Sequence, residues 1–351
     1  MAETPAPAPP AARLVRLEPS GHTFTVNPGE TVLAAGLRQG IGLPYGCRNG
    51  ACGACKGVLR SGELEYGDHQ ERALSAAEKA AGKALVCCTR PLTDIVFEVR
   101  ELAGAGDLKI RTLPARVERI EKPAEDVAIL YLKLPAGERL QFLAGQYVDI
   151  LMKEGKRRSY SMANAPHDDQ HLQLHVRRTP GGAFSKYVFE EMKDRAILRF
   201  EGPLGTFFLR EDSDKPMVLL AGGTGFAPIK SLVEHAFHQG LEREMVLYWG
   251  VRSLKDLYLP DLPGRWAAEH RNFTFIPVLS DPLPGDRWTG RTGLVHQAVL
   301  DDFPSLAGYQ VYACGAPAMT DVARKSFVEE RALPEDEFFC DAFTYSVDPK
   351  K

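Results

Sequence analysis

The stretch PYGCRNGACGACKG, residues 44–57, sets three cysteines among glycines. Cys47, Cys52 and Cys55 give the spacing C-x4-C-x2-C, which with a distant fourth cysteine is the plant-type pattern for a 2Fe–2S cluster. Each iron of such a cluster needs four sulfurs in a tetrahedron, two bridging sulfides and two protein thiolates. Cysteines this close supply three thiolates only if the loop wraps tightly. Gly46, Gly50 and Gly53 permit positive φ and leave backbone N–H groups near the sulfurs, where they favour the more negative, reduced cluster. The fourth ligand must come from LVCCTRP, where Cys87 and Cys88 compete. If these neighbours lie on a strand, they point to opposite faces and only one reaches the cluster. Structural zinc also takes four thiolates, but its motifs usually pair two short knuckles.

Two further stretches suit nucleotide cofactors. In RRSYSMANAP (157–166), Arg158 and Tyr160 share one face of a strand and Ser161 takes the other. A guanidinium beside a flat ring fits a flavin nucleotide, with the fork on pyrophosphate and the ring on isoalloxazine. Ser161 then stands near the flavin's reactive nitrogen. His175 and Val176, in the strand pattern LQLHVRR, join the candidate set. Gly181 and Gly182 precede a helix whose exposed N–H groups suit phosphate, with Ser185 in its first turn. In LLAGGTGFAPIKSL (219–232), Gly222, Gly223, Thr224 and Gly225 form a strand–turn–helix switch that lets a dinucleotide approach the backbone. VYACGAPAM repeats the switch with Cys314 and Gly315 at its tip. After the next strand, YWGVRSLKDLY offers Arg252 and Lys255 but also Asp256. That is a poor cluster for a 2′-phosphate, so NADH is expected and NADPH is the alternative.

These residues need three kinds of scaffold, and 351 residues are enough for them. Apolar content of 44%, charged content of 25% and net charge −3 describe a globular chain without a basic face for nucleic acid or anionic membrane. No apolar run reaches the ~18 residues of a spanning helix. The Ala/Pro-rich start lacks the features of a signal peptide and reads as a disordered tail over 1–11. A cytoplasmic setting is expected, and the clustered cysteines then read as metal ligands rather than disulfides.

Residues 12–102 open with a hairpin around Ser20-Gly21 and a short helix stopped by Gly40, and close on the strand DIVFEVR. A linker is expected over 103–110. Residues 111–212 are a run of strands separated by turns, the pattern of an antiparallel barrel. From 213 to 346 continuous apolar strands alternate with helical patterns, as in a parallel sheet covered by helices.

In this order the three segments resemble the reductase components of bacterial oxygenases, including the branch that serves a deoxysugar dehydrase. The resemblance rests on the cysteine loop, GQYVDI, RRSYSMANAP, AGGTGFAPIKS, LYWG and YACGAPAM, and covers all but the tail. It implies a β-grasp plant-type ferredoxin domain, an antiparallel β-barrel FAD domain and an α/β pyridine-nucleotide domain. It implies Cys87 as fourth ligand, because in plant-type ferredoxins the ligand stands four residues before a proline, here Pro91. It implies Arg158 on the FAD phosphate, Tyr160 on the ring, Ser161 by the reactive nitrogen, Cys314 near the hydride-transferring carbon, and Phe343 covering the flavin. The implied activity is transfer of a hydride from NADH to FAD. Single electrons then pass through the cluster to a protein partner, an oxygenase component or a deoxysugar dehydrase. A non-catalytic redox sensor or carrier using the same cluster is the alternative.

Overall fold

A computed structural model describes residues 11–102, 104, 106 and 108–344. The tail expected over 1–11 lies outside the described residues but for Ala11, as do 103, 105 and 107 of the expected linker and the last residues of the third segment. The chain divides into two compact units, Met1–Leu108 and Lys109–Lys351.

The first unit is built on a mixed five-stranded sheet. Arg13–Glu18 pairs antiparallel with Thr23–Val26 and parallel with Ile95–Glu98, followed by Lys56–Ser61 and Lys83–Leu85. Alternation in RLVRLE sends Val15 and Leu17 into the core. The helix Val32–Arg38 starts where the Thr31 hydroxyl accepts from Ala34 N–H. It buries Val32 and Leu33 with Phe24 and Phe97. The result is a β-grasp arrangement. The first correction falls here: Cys87 and Cys88 are not on a strand. They occupy a turn between Lys83–Leu85 and Thr89–Pro91, so facing by alternation does not separate them.

The second unit holds two sheets. Six antiparallel strands run in the order Arg157–Ser161, Tyr147–Leu151, Ile197–Leu204, Arg111–Ala124, Val127–Lys133, Leu172–Arg177. An isolated bridge from Met162 to Leu174 joins the two outer strands and closes the barrel. Its core is Leu113, Val117, Leu130, Val148, Leu174 and Phe200.

The other sheet is wholly parallel, in the order Arg291–Thr292, Phe273–Leu279, Met245–Val251, Met217–Gly222, Gln310–Gly315, Phe338–Ala342. Helices Phe226–His238 and Asp261–Glu269 and helices Val295–Asp302 and Pro317–Arg331 supply its two apolar layers. Strand order reverses between Met217–Gly222 and Gln310–Gly315, which is where open α/β sheets bind ligands. The outer strands Arg291–Thr292 and Phe338–Ala342 and the helix Asp261–Glu269 were not anticipated. The first strand has two residues, the second mixes Cys340 and Asp341 into its pattern, and the helix carries Pro263 and Gly264.

Trp249 anchors one layer, with no exposed surface and its ring stacked on Phe226 at 4.0 Å. Truncating Trp249 to alanine is expected to cost about 3–5 kcal/mol, read from the denaturation midpoint of the second unit.

Candidate functional site

In the first unit the thiols form a single cradle. Cys55 Sγ and Cys87 Sγ lie 3.2 Å apart. Cys47 N–H points to Cys52 Sγ at 3.4 Å, and Ala51 N–H points to Cys47 Sγ at 3.3 Å. A hydrogen bond with Cys52, opposed by burial and aided by backbone N–H groups, lowers the Cys47 thiol to about 6. The donors are therefore paired as a two-iron cluster needs them, 47 with 52 and 55 with 87, and backbone N–H groups face the sulfur that must carry charge. Gly50 and Gly53 both have positive φ. A Cβ on Gly50 would stand 2.7 Å from Asp68 O and 2.8 Å from Cys88 Sγ. The four-thiol donor set fits a 2Fe–2S cluster.

In the barrel, Arg158 and Tyr160 are half-buried on one side of their strand while Arg157 and Ser159 are exposed on the other. The Tyr160 ring lies 5.2 Å from Phe184, in the turn of helix Ala183–Lys186 that Gly182 opens. Two motifs separated by about twenty residues thus meet. Burial pushes the Tyr160 phenol up, so it stays neutral. Ser185 is committed to its own loop: its hydroxyl accepts from Thr179 N–H at 3.1 Å and lies 3.1 Å from Gly182 O. Val176 is buried in the barrel core.

The strand Arg157–Ser161 runs on into Met162–Ala165, which is fastened to helix Phe226–His238. Lys230 Nζ donates to Ala163 O at 3.2 Å, and Ser231 Oγ donates to Asn164 O at 2.8 Å. The fastening sets barrel against parallel sheet. Ser161 Oγ then donates to Asp341 Oδ2 at 3.0 Å, and the same carboxylate oxygen is 4.0 Å from Cys314 Sγ. Cys314 is fully buried, and burial with the Asp341 charge pushes its thiol up. Ser161 and Cys314, predicted separately, therefore converge, and the residue that joins them was missed. Asp341 was visible in CDAFTYS only as a neighbour of Phe343. Phe343 packs on the sheet core and donates its N–H to Gly315 O at 2.8 Å.

The two glycine turns meet at the strand-order reversal. A Cβ on Gly225 would be 2.1 Å from Cys314 O, and one on Gly222 2.7 Å from Met319 Sδ. Trp249 Nε1 donates to Gly223 O at 2.9 Å and holds the turn from below. Arg177, also missed, lies beside it: Nη1 bonds Asp126 at 2.9 Å, while buried Nε and Nη2 have no partner among the described residues. The guanidinium carbon is 3.7 Å from where a Gly223 Cβ would stand. Two orphan donors beside a glycine turn fit an anionic dinucleotide. Arg252 and Lys255 are exposed, and Asp256 is engaged by Ser253 N–H and Oγ at 3.0 Å each. His175 is buried with Nδ1 2.8 Å from the Tyr258 hydroxyl and Nε2 without a partner among the described residues. Burial, aided by the Lys230 charge, pulls it down to about 3, so it is neutral.

Three known families match the chain: a 2Fe–2S iron–sulfur cluster binding domain over residues 15–92, an oxidoreductase FAD-binding domain over 114–209 and an oxidoreductase NAD-binding domain over 219–325. The CDP-6-deoxy-L-threo-D-glycero-4-hexulose-3-dehydrase reductase of Yersinia pseudotuberculosis is 43% identical over 334 residues, 95% of this chain and 98% of that one. The aromatic O-demethylase reductase subunit of an Amycolatopsis species is 42% identical, covering 90% and 94%. Among solved structures, the Amycolatopsis cytochrome P450 reductase superposes with a TM-score of 0.78 at 38% identity, covering 95% of this chain and 99% of that one.

Two outcomes test the site's construction. Gly225→Ala puts a methyl against the Cys314 carbonyl and is expected to lower stability by at least about 2 kcal/mol, with weakened NADH binding seen by titration. The buried neutral His175 must take up a proton on unfolding below its ordinary value of 6.5. Its contribution to stability is therefore complete above pH 6.5 and falls by about 1.4 kcal/mol per pH unit as pH drops from there toward 3. Unfolding of wild type and His175→Gln at pH 7 and pH 5 is expected to show a shallower pH slope in the variant.

Proposed function

The chain belongs to the family of 2Fe–2S, FAD- and NAD-binding oxidoreductase components that includes dehydrase and oxygenase reductases, and from that membership we propose how its residues divide the work. The reaction is oxidation of NADH with delivery of single electrons to a partner protein of the dehydrase or oxygenase class. One observation carries the site assignment: the Asp341 carboxylate faces both Ser161, on the flavin motif, and Cys314, on the nicotinamide motif.

The bound cofactors supply the redox chemistry, a hydride from nicotinamide, splitting of the electron pair at the flavin, and one-electron transfer at the cluster. The chain supplies the geometry. Arg158 neutralises flavin phosphate, and the N–H groups opened by Gly181 and Gly182 take the rest of the pyrophosphate. Tyr160 would stack on the ring, and Phe343 would cover the flavin. Ser161, held by Asp341, presents its hydroxyl oxygen toward the flavin's reactive nitrogen. Asp341 is a positioning residue: it fixes the hydroxyl and would keep a negative charge beside the nicotinamide. Neutral Cys314 gives a soft, uncharged wall at that ring. Gly222, Gly223, Thr224 and Gly225 admit the dinucleotide backbone, and Arg177 offers its free donors to the phosphates. Buried His175, with Val176 beside it in the strand, sets the barrel edge against Tyr258.

Cys47, Cys52, Cys55 and Cys87 hold the cluster. The preference for NADH follows from Arg252 and Lys255, which stand exposed without forming a pocket. We place the reaction in the cytoplasm, where thiolates stay reduced. No described helix is long and apolar enough to cross a membrane.

An anaerobic NADH titration followed by absorbance and electron paramagnetic resonance tests the reading. Bleaching of a flavin band with appearance of a reduced 2Fe–2S signal is expected. Colourless protein carrying zinc and no flavin overturns it. Cys52→Ser is expected to lose the cluster and about tenfold or more of cytochrome c reduction while flavin reduction by NADH survives. Asp341→Asn is expected to slow flavin reduction about tenfold, the effect of weakening one charge-assisted hydrogen bond, at unchanged flavin content in stopped flow.

A further inference from the structure

The first unit has five cysteines and the cluster needs four. We propose that Cys88 is a reserve ligand for the fourth position, so that Cys87 and Cys88 are exchangeable at one iron. This rests on the reading of Cys47, Cys52, Cys55 and Cys87 as ligands.

The turn makes the exchange geometrically available. Had the strand continued through residue 88, one thiol would face the cradle and the other its opposite side. Instead Cys88 N–H donates back to Leu85 O at 3.0 Å and Thr89 Oγ donates to the same carbonyl at 2.8 Å. The chain folds over, and the two sulfurs come to 3.5 Å. Cys87 Sγ is at the same time 3.2 Å from Cys55 Sγ. Two sulfurs on one tetrahedral metal with bonds of about 2.3 Å are about 3.8 Å apart. Cys88 Sγ is therefore about as near the fourth position as two ligands of one iron are to each other. Rotation between staggered χ1 wells carries a cysteine sulfur by about 3 Å, which nearly spans the gap.

Cys88 also meets the cradle from its other side. The loop residue Gly50, between Cys47 and Cys52, approaches the Cys88 sulfur so closely that an added Cβ would lie 2.8 Å from it. A cysteine serving only as apolar filler would sit within the core, as Val86 does with no exposed surface. Cys88 instead is half-buried at the core's margin. With Cys87 it lines a cavity of about 480 Å³ whose other walls include Asn49, Tyr66, Asp68 and Arg90. That space receives whichever side chain is not bonded to iron. The exchange balances: one iron–sulfur bond to Cys87 breaks, one to Cys88 forms, and the Cys88 thiol proton passes to the released Cys87 thiolate. No electron is gained or lost, and the iron has four sulfurs before and after. The chain thereby retains its cluster when the Cys87 sulfur is lost.

Full-length Cys87→Ala, Cys88→Ala, Cys87→Ala/Cys88→Ala and Cys55→Ala decide the matter, with iron, acid-labile sulfide and FAD measured per chain and the reduced cluster examined by electron paramagnetic resonance. The proposal expects Cys87→Ala to keep wild-type iron with shifted g-values, Cys88→Ala to keep wild-type iron, and the double variant to be iron-free with full FAD. Iron-free Cys87→Ala with full FAD beside iron-replete Cys88→Ala overturns it. If Cys87→Ala does not accumulate, Cys87→Ser and Cys87→Ser/Cys88→Ala replace it: different resonance spectra support the exchange, and identical spectra overturn it. A Cys55→Ala chain with an unaltered cluster would instead overturn the underlying ligand assignment.

Discussion

Two parallel strands, Met217–Gly222 and Gln310–Gly315, end so close together that no side chain fits where their turns cross. Gly225 faces the Cys314 carbonyl where a Cβ would be at 2.1 Å, and Gly315, at φ +143°, lies against Gly222. That contact fixes where helix Phe226–His238 begins. The helix in turn places Lys230 and Ser231, and these hold Ala163 and Asn164 just beyond the flavin motif. Position is handed along a chain of short polar contacts from the sheet to Ser161. The Trp249 indole supports the turn from the apolar side. Backbone approach and core packing thus act at one point, which explains why a site assembled from distant segments can be rigid.

Legibility in the sequence followed periodicity and punctuation. The long apolar strands of the parallel sheet and the hairpin of the first unit were readable, because burial on both faces or on one face leaves a distinct pattern. The strand Phe338–Ala342 was not, since an edge strand buries little and admits Cys340 and Asp341. With the strand went its most consequential residue. Asp341 has no motif of its own, and its meaning comes only from its pairing in register with Cys314 across the ladder. Arg177 was hidden for a related reason: an arginine on a strand looks like a solvated face until two of its nitrogens are found buried without partners among the described residues. The cysteine turn misled in the other direction. LVCC reads as a strand by composition, yet the chain folds over after Leu85.

The two units use different means of holding a redox centre. In the first, thiols and the backbone N–H groups beside them lie close together in a glycine-bearing loop and turn, so side-chain shape matters little. In the second, shape does more. Aromatic faces at Tyr160, Phe184 and Phe343 and neutral buried groups at Cys314 and His175 stand beside the charges of Arg158, Arg177 and Asp341. Burial of this kind keeps such charges strongly felt.

The barrel is completed by an isolated bridge between Met162 and Leu174 and an adjoining hydrogen bond from Ala163 N–H to Gln173 O at 2.8 Å. Every other junction between neighbouring strands in that sheet is a ladder of several pairs. The bridge immediately follows the residues assigned to the flavin, so cofactor retention and integrity of the cylinder are thermodynamically linked. A ligand that binds only the closed form adds its binding free energy to this short joint.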